Sequence, residues 1–277
     1  MRTNYTINVR GNLMNFDVPR VMGILNVTPD SFYEGSRLDI GDSLVKRAGE
    51  MLAAGADILD LGACSTRPGG EFVDEDEELR RLHGALDVLD VAFPQAVVSV
   101  DTFRAKVAKE CVNNHNVAIV NDVSGFSIDE NMLDAVAELR VPYILTHSKG
   151  ESGSTPQYDN FLPEVITSLS EKMWQLHQRG VADVIIDPGF GFGKSLEQNY
   201  EMLASLEEFA VLDTPVLVGV SRKSMITKVL GVAASEALNG TTVLNTMALM
   251  GGAHILRVHD VVQAVEAVRL YMAFNKR

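Results

Sequence analysis

The chain has 277 residues, of which 46% are hydrophobic and 22% charged, with 22 Gly, 9 Pro and no polar low-complexity tract. Such a composition buries a sizeable core and excludes disorder and fibrous repeats. The length suits one large α/β barrel, so a single domain over residues 1–277 is expected. With 37 Asp and Glu against 24 Lys and Arg, the net charge of -13 repels a polyphosphate backbone, which excludes a dedicated nucleic-acid binder. A phosphorylated ligand must then be met by a few cations gathered at one site.

The opening MRTNYTINVRGNLMNF alternates polar with apolar residues and lacks the apolar run of a signal peptide, and no stretch approaches a membrane span. A cytoplasmic location without a membrane partner is expected. Within this opening, Tyr5, Ile7 and Val9, then Gly11 and Asn12, then Leu13 to Phe16 read as a β-hairpin that plugs the N-terminal end of a barrel. Beyond it one pattern repeats: a short apolar run, a Gly/Asp/Ser-rich turn, then residues at helical spacing. Strands are expected at Val21 to Asn26, Ile58 to Gly62, Val97 to Asp101, Ala118 to Asp122, Tyr143 to Thr146, Val184 to Asp187, Val216 to Gly219 and Ile255 to Val258. Eight is the number that closes a (β/α)8 TIM barrel. Helices between them carry apolar stripes, such as Leu44, Val45, Ala48, Met51 and Leu52, or Leu162, Val165, Ile166, Leu169 and Met173.

The competing architecture, an open doubly wound sheet, needs a Gly-rich loop at its first strand-to-helix turn, and that turn reads LNVTPDSF. DPGFGFGKS at Asp187 to Ser195 has Pro188 where a phosphate loop requires Gly, so it reads as a backbone passing close to a ligand or a strand. Cys64 and Cys111 lie far apart without a CxxC pair, which indicates neither a disulfide framework nor a zinc site. Cys111 reads as a small core residue.

Reactive side chains of such a barrel belong at the C-terminal ends of its strands. Those ends carry Asn26, the Ser65 to Gly69 loop, Asp101, Asn121 with Asp122, His147, Asp187, Ser221-Arg222-Lys223, and Arg257 with His259. Any one Asp or Asn there has a plain alternative as a helix cap, Asp122 especially. Together they form two sets. Arg257 and His259, two residues apart on one side of a strand, and Arg67 in a stiff Ser-Thr-Arg-Pro-Gly loop are concentrated cations suited to phosphate oxygens. Arg257 has a second reading, a buried salt bridge to a barrel carboxylate. Asp101, Asn121, Asp187 and Lys223 offer acceptors, an amide and a cationic donor that match a planar heterocycle with N–H donors on one edge and a carbonyl.

LNVTPDSF, STRPG, VDTFRAKV, NDVSG, DPGFGFGK, SRKS and RVHD, in this order, resemble the dihydropteroate synthase family of bacterial folate synthesis, from about Arg20 to the C-terminus. The resemblance implies a (β/α)8 barrel, usually a homodimer and a sulfonamide target. It further implies that 6-hydroxymethyl-7,8-dihydropterin pyrophosphate is joined to p-aminobenzoate, with release of pyrophosphate and use of Mg2+. By position it places pterin binding on Asp101, Asn121, Asp187 and Lys223. Pyrophosphate binding falls on Asn26, Arg67, Arg257 and His259, with Asn26 also reaching the metal. Binding of p-aminobenzoate falls on Phe32, Thr66, Pro68, Phe192, Lys223 and Ser224, the last of which also begins a helix. Catalysis would rest on Asn26, Arg67, Asp101, Lys223, Arg257 and His259, with pyrophosphate leaving before the amine attacks.

Two positions depart from the family pattern: Cys64 stands where many members carry Glu, and Thr146-His147-Ser148 replaces a frequent Met-His-Met. The rivals are a pterin-binding methyltransferase barrel, a silent paralogue that only binds pterin, and a Schiff-base aldolase using Lys223. The first has no use for the STRPG and RVHD cations. The second is expected to have lost part of the catalytic set, and borohydride trapping separates the third.

Overall fold

The computed structural model describes residues 5–27, 37–64, 73–149 and 157–275. The chain opens with a two-stranded antiparallel hairpin, β1 (Thr6–Val9) and β2 (Asn12–Asn15), turned by Gly11 at φ 82°. Eight parallel strands follow: β3 (Arg20–Asn26), β4 (Ile58–Gly62), β5 (Val98–Asp101), β6 (Val117–Asp122), β7 (Tyr143–Thr146), β8 (Val184–Asp187), β9 (Leu217–Val218) and β10 (Ile255–Val258). They pair in the order β8-β7-β6-β5-β4-β3-β10-β9, and a bridge between Ile186 and Val216 joins the two ends of that series. The result is a (β/α)8 TIM barrel with an N-terminal β-hairpin. The expected strands differ from these by a residue or two at most; β9 loses its flanks because Val216 and Gly219 fall outside its ladder.

Helices α1 (Arg37–Ala54), α2 (Glu75–Ala92), α3 (Ala105–Asn114), α4 (Met132–Leu139), α5 (Phe161–Gln178), α6 (Leu196–Ala204), α7 (Ser224–Leu230), α8 (Leu238–Met250) and α9 (Val261–Phe274) surround the barrel. Their apolar stripes bury against the outward faces of the strands. Leu44, Ala48 and Met51 of α1, and Leu162, Val165, Leu169 and Met173 of α5, join the same core as Val21, Leu59, Val100, Val120, Leu145 and Ile186. Two starts are set by side chains: Asp74 accepts the Glu77 N–H of α2 at 2.8 Å, and Ser195 with Gln198 forms a capping box on α6.

The inside of the barrel holds a second, smaller core. Ile7, Val9 and Phe16 from the hairpin pack with Met22, Ile58, Ile119, Ile144, Ile185, Leu217 and Ile255. The hairpin therefore closes the N-terminal end, as its alternating sequence requires. Because side chains repeat their face every second residue, moving up from this layer reaches polar groups. Ile58 leads to Asp60, Ile119 to Asn121, Ile144 to Thr146, Ile185 to Asp187, and Ile255 to Arg257. The interior changes from aliphatic at the plugged end to charged at the other, and that polarity places the site.

Candidate active site

Asp60 lies fully buried in the middle of β4 and ties the interior polar layer together. Its Oδ2 accepts from Arg257 Nε at 2.6 Å and from Asn121 Nδ2 at 3.1 Å. Arg257 extends its other arm to Asp101 Oδ2 at 2.5 Å, so one guanidinium spans two carboxylates. Burial works against the charge of Arg257, but the two carboxylates outweigh it and hold the group firmly cationic. Asp101 goes the other way: burial, opposed by Arg257, lifts its carboxyl to about 7, and Asp60 adds to the rise. Of the two readings of Arg257, the structure describes the buried salt bridge. Its guanidinium joins β10 to Asp60 of β4 and Asp101 of β5, and Asp60 in turn accepts from Asn121 of β6.

Asn26 ends β3 across Gly62 from Asp101. A Cβ built on Gly62 would stand 3.4 Å from Asn26 Oδ1 and 3.4 Å from Asp101 Cβ, so the missing side chain leaves an oxygen-lined gap between the two. His259 follows β10. Ser221 Oγ accepts its backbone N–H at 3.2 Å and lies 3.0 Å from its Nδ1. With the Ser221 hydroxyl donating to Nδ1, the ring hydrogen sits on Nε2, a donor suited to a phosphate oxygen.

On the opposite wall, Asp187 ends β8 and accepts the Gly189 N–H at 2.8 Å. Burial raises its carboxyl, opposed chiefly by the charge of Lys223. Lys223 immediately precedes α7; its Nζ donates to the Phe190 carbonyl and sits 4.6 Å from the centre of the Phe192 ring. Burial lowers this ammonium to about 8. Gly219 separates Lys223 from Arg257: a Cβ there would lie 3.9 Å from Lys223 Nζ and 3.8 Å from Arg257 Cβ. Phe192 is half-buried, and Ser224 is exposed as the first residue of α7. Phe32, Thr66, Arg67 and Pro68 lie outside the described residues.

Asp122, equally a cap by sequence, is indeed taken up locally. It accepts the Ser124 and Phe126 N–H groups at 2.8 and 2.6 Å and the Tyr143 hydroxyl at 2.7 Å. Arg222 forms a two-pronged pair with Asp260 at 3.0 and 2.6 Å. His147 is buried and held neutral, its imidazole lowered to about 3 by burial and then by the charge of Lys194. Cys64 is half-buried with its thiol raised by burial, and Cys111 is fully buried as expected. The sequence reading passed over Asp60, although Ile58-Leu59-Asp60 repeats the apolar-x-polar step of the neighbouring strands.

An oxygen-rich interior with paired carboxylates and two buried cations is compatible with several barrel enzymes, and comparison with known proteins decides among them. Residues 22–259 match the pterin-binding enzyme family. The dihydropteroate synthase of Escherichia coli K12 is 42% identical over 271 residues, covering 95% of this chain and 94% of its own. This chain belongs to the dihydropteroate synthase family. The Bacillus subtilis synthase is 38% identical over 254 residues, covering 90% of this chain and 86% of its own. Among solved structures, Xanthomonas albilineans dihydropteroate synthase with 4-aminobenzoic acid superposes with a TM-score of 0.92 at 37% identity, covering 99% of this chain and 100% of its own. The same synthase in complex with 7,8-dihydropteroate gives a TM-score of 0.88 at 36% identity, covering 99% and 100%. Dihydropteroate synthases thus match this chain from hairpin to final helix, at coverage that leaves no large segment unaccounted for.

Proposed function

We propose that this chain condenses 6-hydroxymethyl-7,8-dihydropterin pyrophosphate with p-aminobenzoate, giving 7,8-dihydropteroate and pyrophosphate. The observation that carries the reading is the facing of Asp101, Asn121 and Asp187 with Lys223 across one barrel mouth. Three acceptor-bearing groups and one ammonium complement an aminopyrimidinone edge, which donates from its ring and amino nitrogens and accepts at its carbonyl. Asn121 commits its Nδ2 to Asp60, which leaves Oδ1 to accept from the ligand. Asp187 accepts from the pterin's guanidine-like edge, and Lys223 donates to the carbonyl and a ring nitrogen.

Arg257 and His259, with Arg67, neutralise charge growing on the leaving pyrophosphate, the electrostatic contribution that commonly dominates such transfers. The C–O bond to pyrophosphate breaks first, the conjugated pterin spreads the resulting cation, and the aryl amine then attacks the exocyclic methylene and loses a proton. The amine is already neutral, so Phe192, Lys223 and Ser224, with Phe32, Thr66 and Pro68, need only place it.

The residues present suit Mg2+. Asn26 Oδ1 and the Asp101 carboxylate are hard oxygen donors on either side of Gly62. Among the described residues no three His, Cys, Asp or Glu converge on a point, as befits an ion that takes most of its ligands from water and substrate phosphates. Bound there, Mg2+ would supply further charge neutralisation to the pyrophosphate, with Asn26 as its protein ligand.

A homodimer in the cytoplasm completes the reading. Exposed apolar side chains gather on α7 to α9, among them Val229, Leu230, Met247, Met250, Leu270 and Phe274, a face suited to a second copy. Among the described residues no helix is long and apolar enough to cross a membrane. The test is a coupled assay with both substrates and Mg2+, following pyrophosphate release and dihydropteroate; failure to form dihydropteroate refutes the reaction, and sedimentation as a monomer refutes the dimer.

A further inference from the structure

The glycine-rich segment after β8 supplies both contacts that organise the far wall of the site. The Gly189 N–H meets Asp187, and the Phe190 carbonyl and Phe192 ring meet Lys223. Yet Gly189, Gly191 and Gly193 all have positive φ, at 79, 80 and 55°, so the segment carries little conformational preference of its own. Two neighbouring side chains hold it. Asn199 Oδ1 accepts the Gly191 N–H at 2.7 Å from within α6.

The second is Lys194, only 9% exposed. Its Nζ donates to the carbonyls of Gly189 at 2.9 Å, Phe192 at 3.1 Å and His147 at 3.1 Å. An ammonium has three hydrogens, and here each has a carbonyl. Two of those carbonyls belong to the segment itself and the third to the chain leaving β7. The ammonium is therefore the bolt that fixes the turn against the neighbouring strand end. The fit is close on the backbone side as well, because a Cβ on Gly189 would stand 2.0 Å from the His147 carbonyl oxygen.

We infer that Lys194 is a positioning residue for pterin binding, acting through the 188–193 turn to place the groups that meet Asp187 and Lys223. This rests on the dihydropteroate reading above. Lys194 touches no reacting atom. Its cationic charge lies close to Asp187, and burial brings its ammonium down to about 7, so part of its grip is released as pH rises above neutrality. A planar guanidinium presents its donors in one plane and does not reproduce a tripod, so Arg is not equivalent here.

The test uses the full-length K194A variant, which removes Cγ to Nζ, and measures binding of free hydroxymethylpterin and of inorganic pyrophosphate by calorimetry. The expected result is at least a tenfold loss for the pterin with pyrophosphate binding unchanged, and saturable recovery of pterin binding by propylammonium, which replaces the deleted atoms. Tetramethylammonium, with no N–H donor, should restore nothing. Wild-type pterin affinity in folded K194A, equal losses for both ligands, or equal recovery by both amines overturns the assignment. K194R keeps charge and bulk if K194A does not fold, and it too should lose pterin affinity; a wild-type value there overturns the tripod argument. Wild-type protein that binds no hydroxymethylpterin and forms no dihydropteroate would instead defeat the reaction on which the assignment rests.

Discussion

Asp60→Ala is the sharpest probe of the barrel interior, because Asp60 neither ends a strand nor faces the mouth. The substitution deletes the oxygen shared by Arg257 Nε at 2.6 Å and Asn121 Nδ2 at 3.1 Å. Removing one partner of a buried ion pair costs about 3–5 kcal/mol. Arg257 keeps Asp101 at 2.5 Å, so its charge is not left alone and the lower end, about 3 kcal/mol, is expected. At roughly 2–4 °C per kcal/mol for a large domain, Tm falls by about 6–12 °C. Asp60→Asn behaves differently: its carbonyl can take the place of Oδ2 and keep both bonds, while its amide occupies the Oδ1 position, which has no partner among the described residues. That variant should lose about 1–3 kcal/mol, the cost of one buried unpaired donor, and less than Asp60→Ala because both bonds to Oδ2 are kept. Urea denaturation of both variants, with hydroxymethylpterin calorimetry on each, measures the contrast. Asp60→Ala within about 1 kcal/mol of wild type, below the range for a broken buried pair, would refute the view that Asp60 anchors the polar layer.

Asp187→Asn should keep the fold and lose about 1–3 kcal/mol or more of pterin affinity, because its amide would face ligand N–H donors; near-normal calorimetric binding contradicts that role. Arg257→Ala should weaken binding of free hydroxymethylpterin as well as of its pyrophosphate ester, since it also releases Asp101; a loss confined to the ester would make Arg257 a phosphate-binding residue alone. Gly189→Ala combines a left-handed φ of 79° with a Cβ 2.0 Å from the His147 oxygen. The backbone conformation alone costs about 1–2 kcal/mol, so a thermal shift within error of wild type would contradict the described turn. Asp101 has a pH signature. Its folded carboxyl, at about 7 against an ordinary 3.8, binds more protons than the unfolded chain between those values, so its contribution favours folding as pH falls from 7 towards 4. Asp101→Asn should flatten that slope in denaturation midpoints, and an unchanged slope would place the titration elsewhere.

The strands and the plug were legible because their chemistry is local: Ile7 and Val9 alternate, and each barrel strand is dominated by short apolar runs. The ends Asn26, Asp101, Asn121, Asp187 and Arg257 were legible because a barrel brings strand ends to one mouth whatever the loops do. Asp60 was not, since a carboxylate inside ILDLG reads as an interruption until Arg257 of β10 and Asn121 of β6 reach it inside the barrel. Lys194 was hidden for another reason. Its three partners are main-chain carbonyls, which have no residue type to read, and one belongs to His147, forty-seven positions earlier. The buried Glu78 was hidden by separation instead: it pairs with the Arg104 side chain and accepts from the Thr102 hydroxyl, both in the chain beyond β5.

The ring of strands is not equally strong all the way round. Between β8 and β9 it is held by the Ile186–Val216 bridge, the Ile186 N–H on the Pro215 carbonyl at 3.0 Å and the Thr214 hydroxyl on the Val184 carbonyl, whereas β3 and β4 share a five-residue ladder. That thin join is a seam, and two of the groups proposed to meet the pterin lie on either side of it, Asp187 at the end of β8 and Lys223 just beyond β9. Local opening concentrates where backbone bonds are few. Amide exchange should accordingly begin at the seam, and each such event parts Asp187 from Lys223. Opening there would loosen the cylinder where the flat bicyclic guest is proposed to lie, at the end opposite the hairpin.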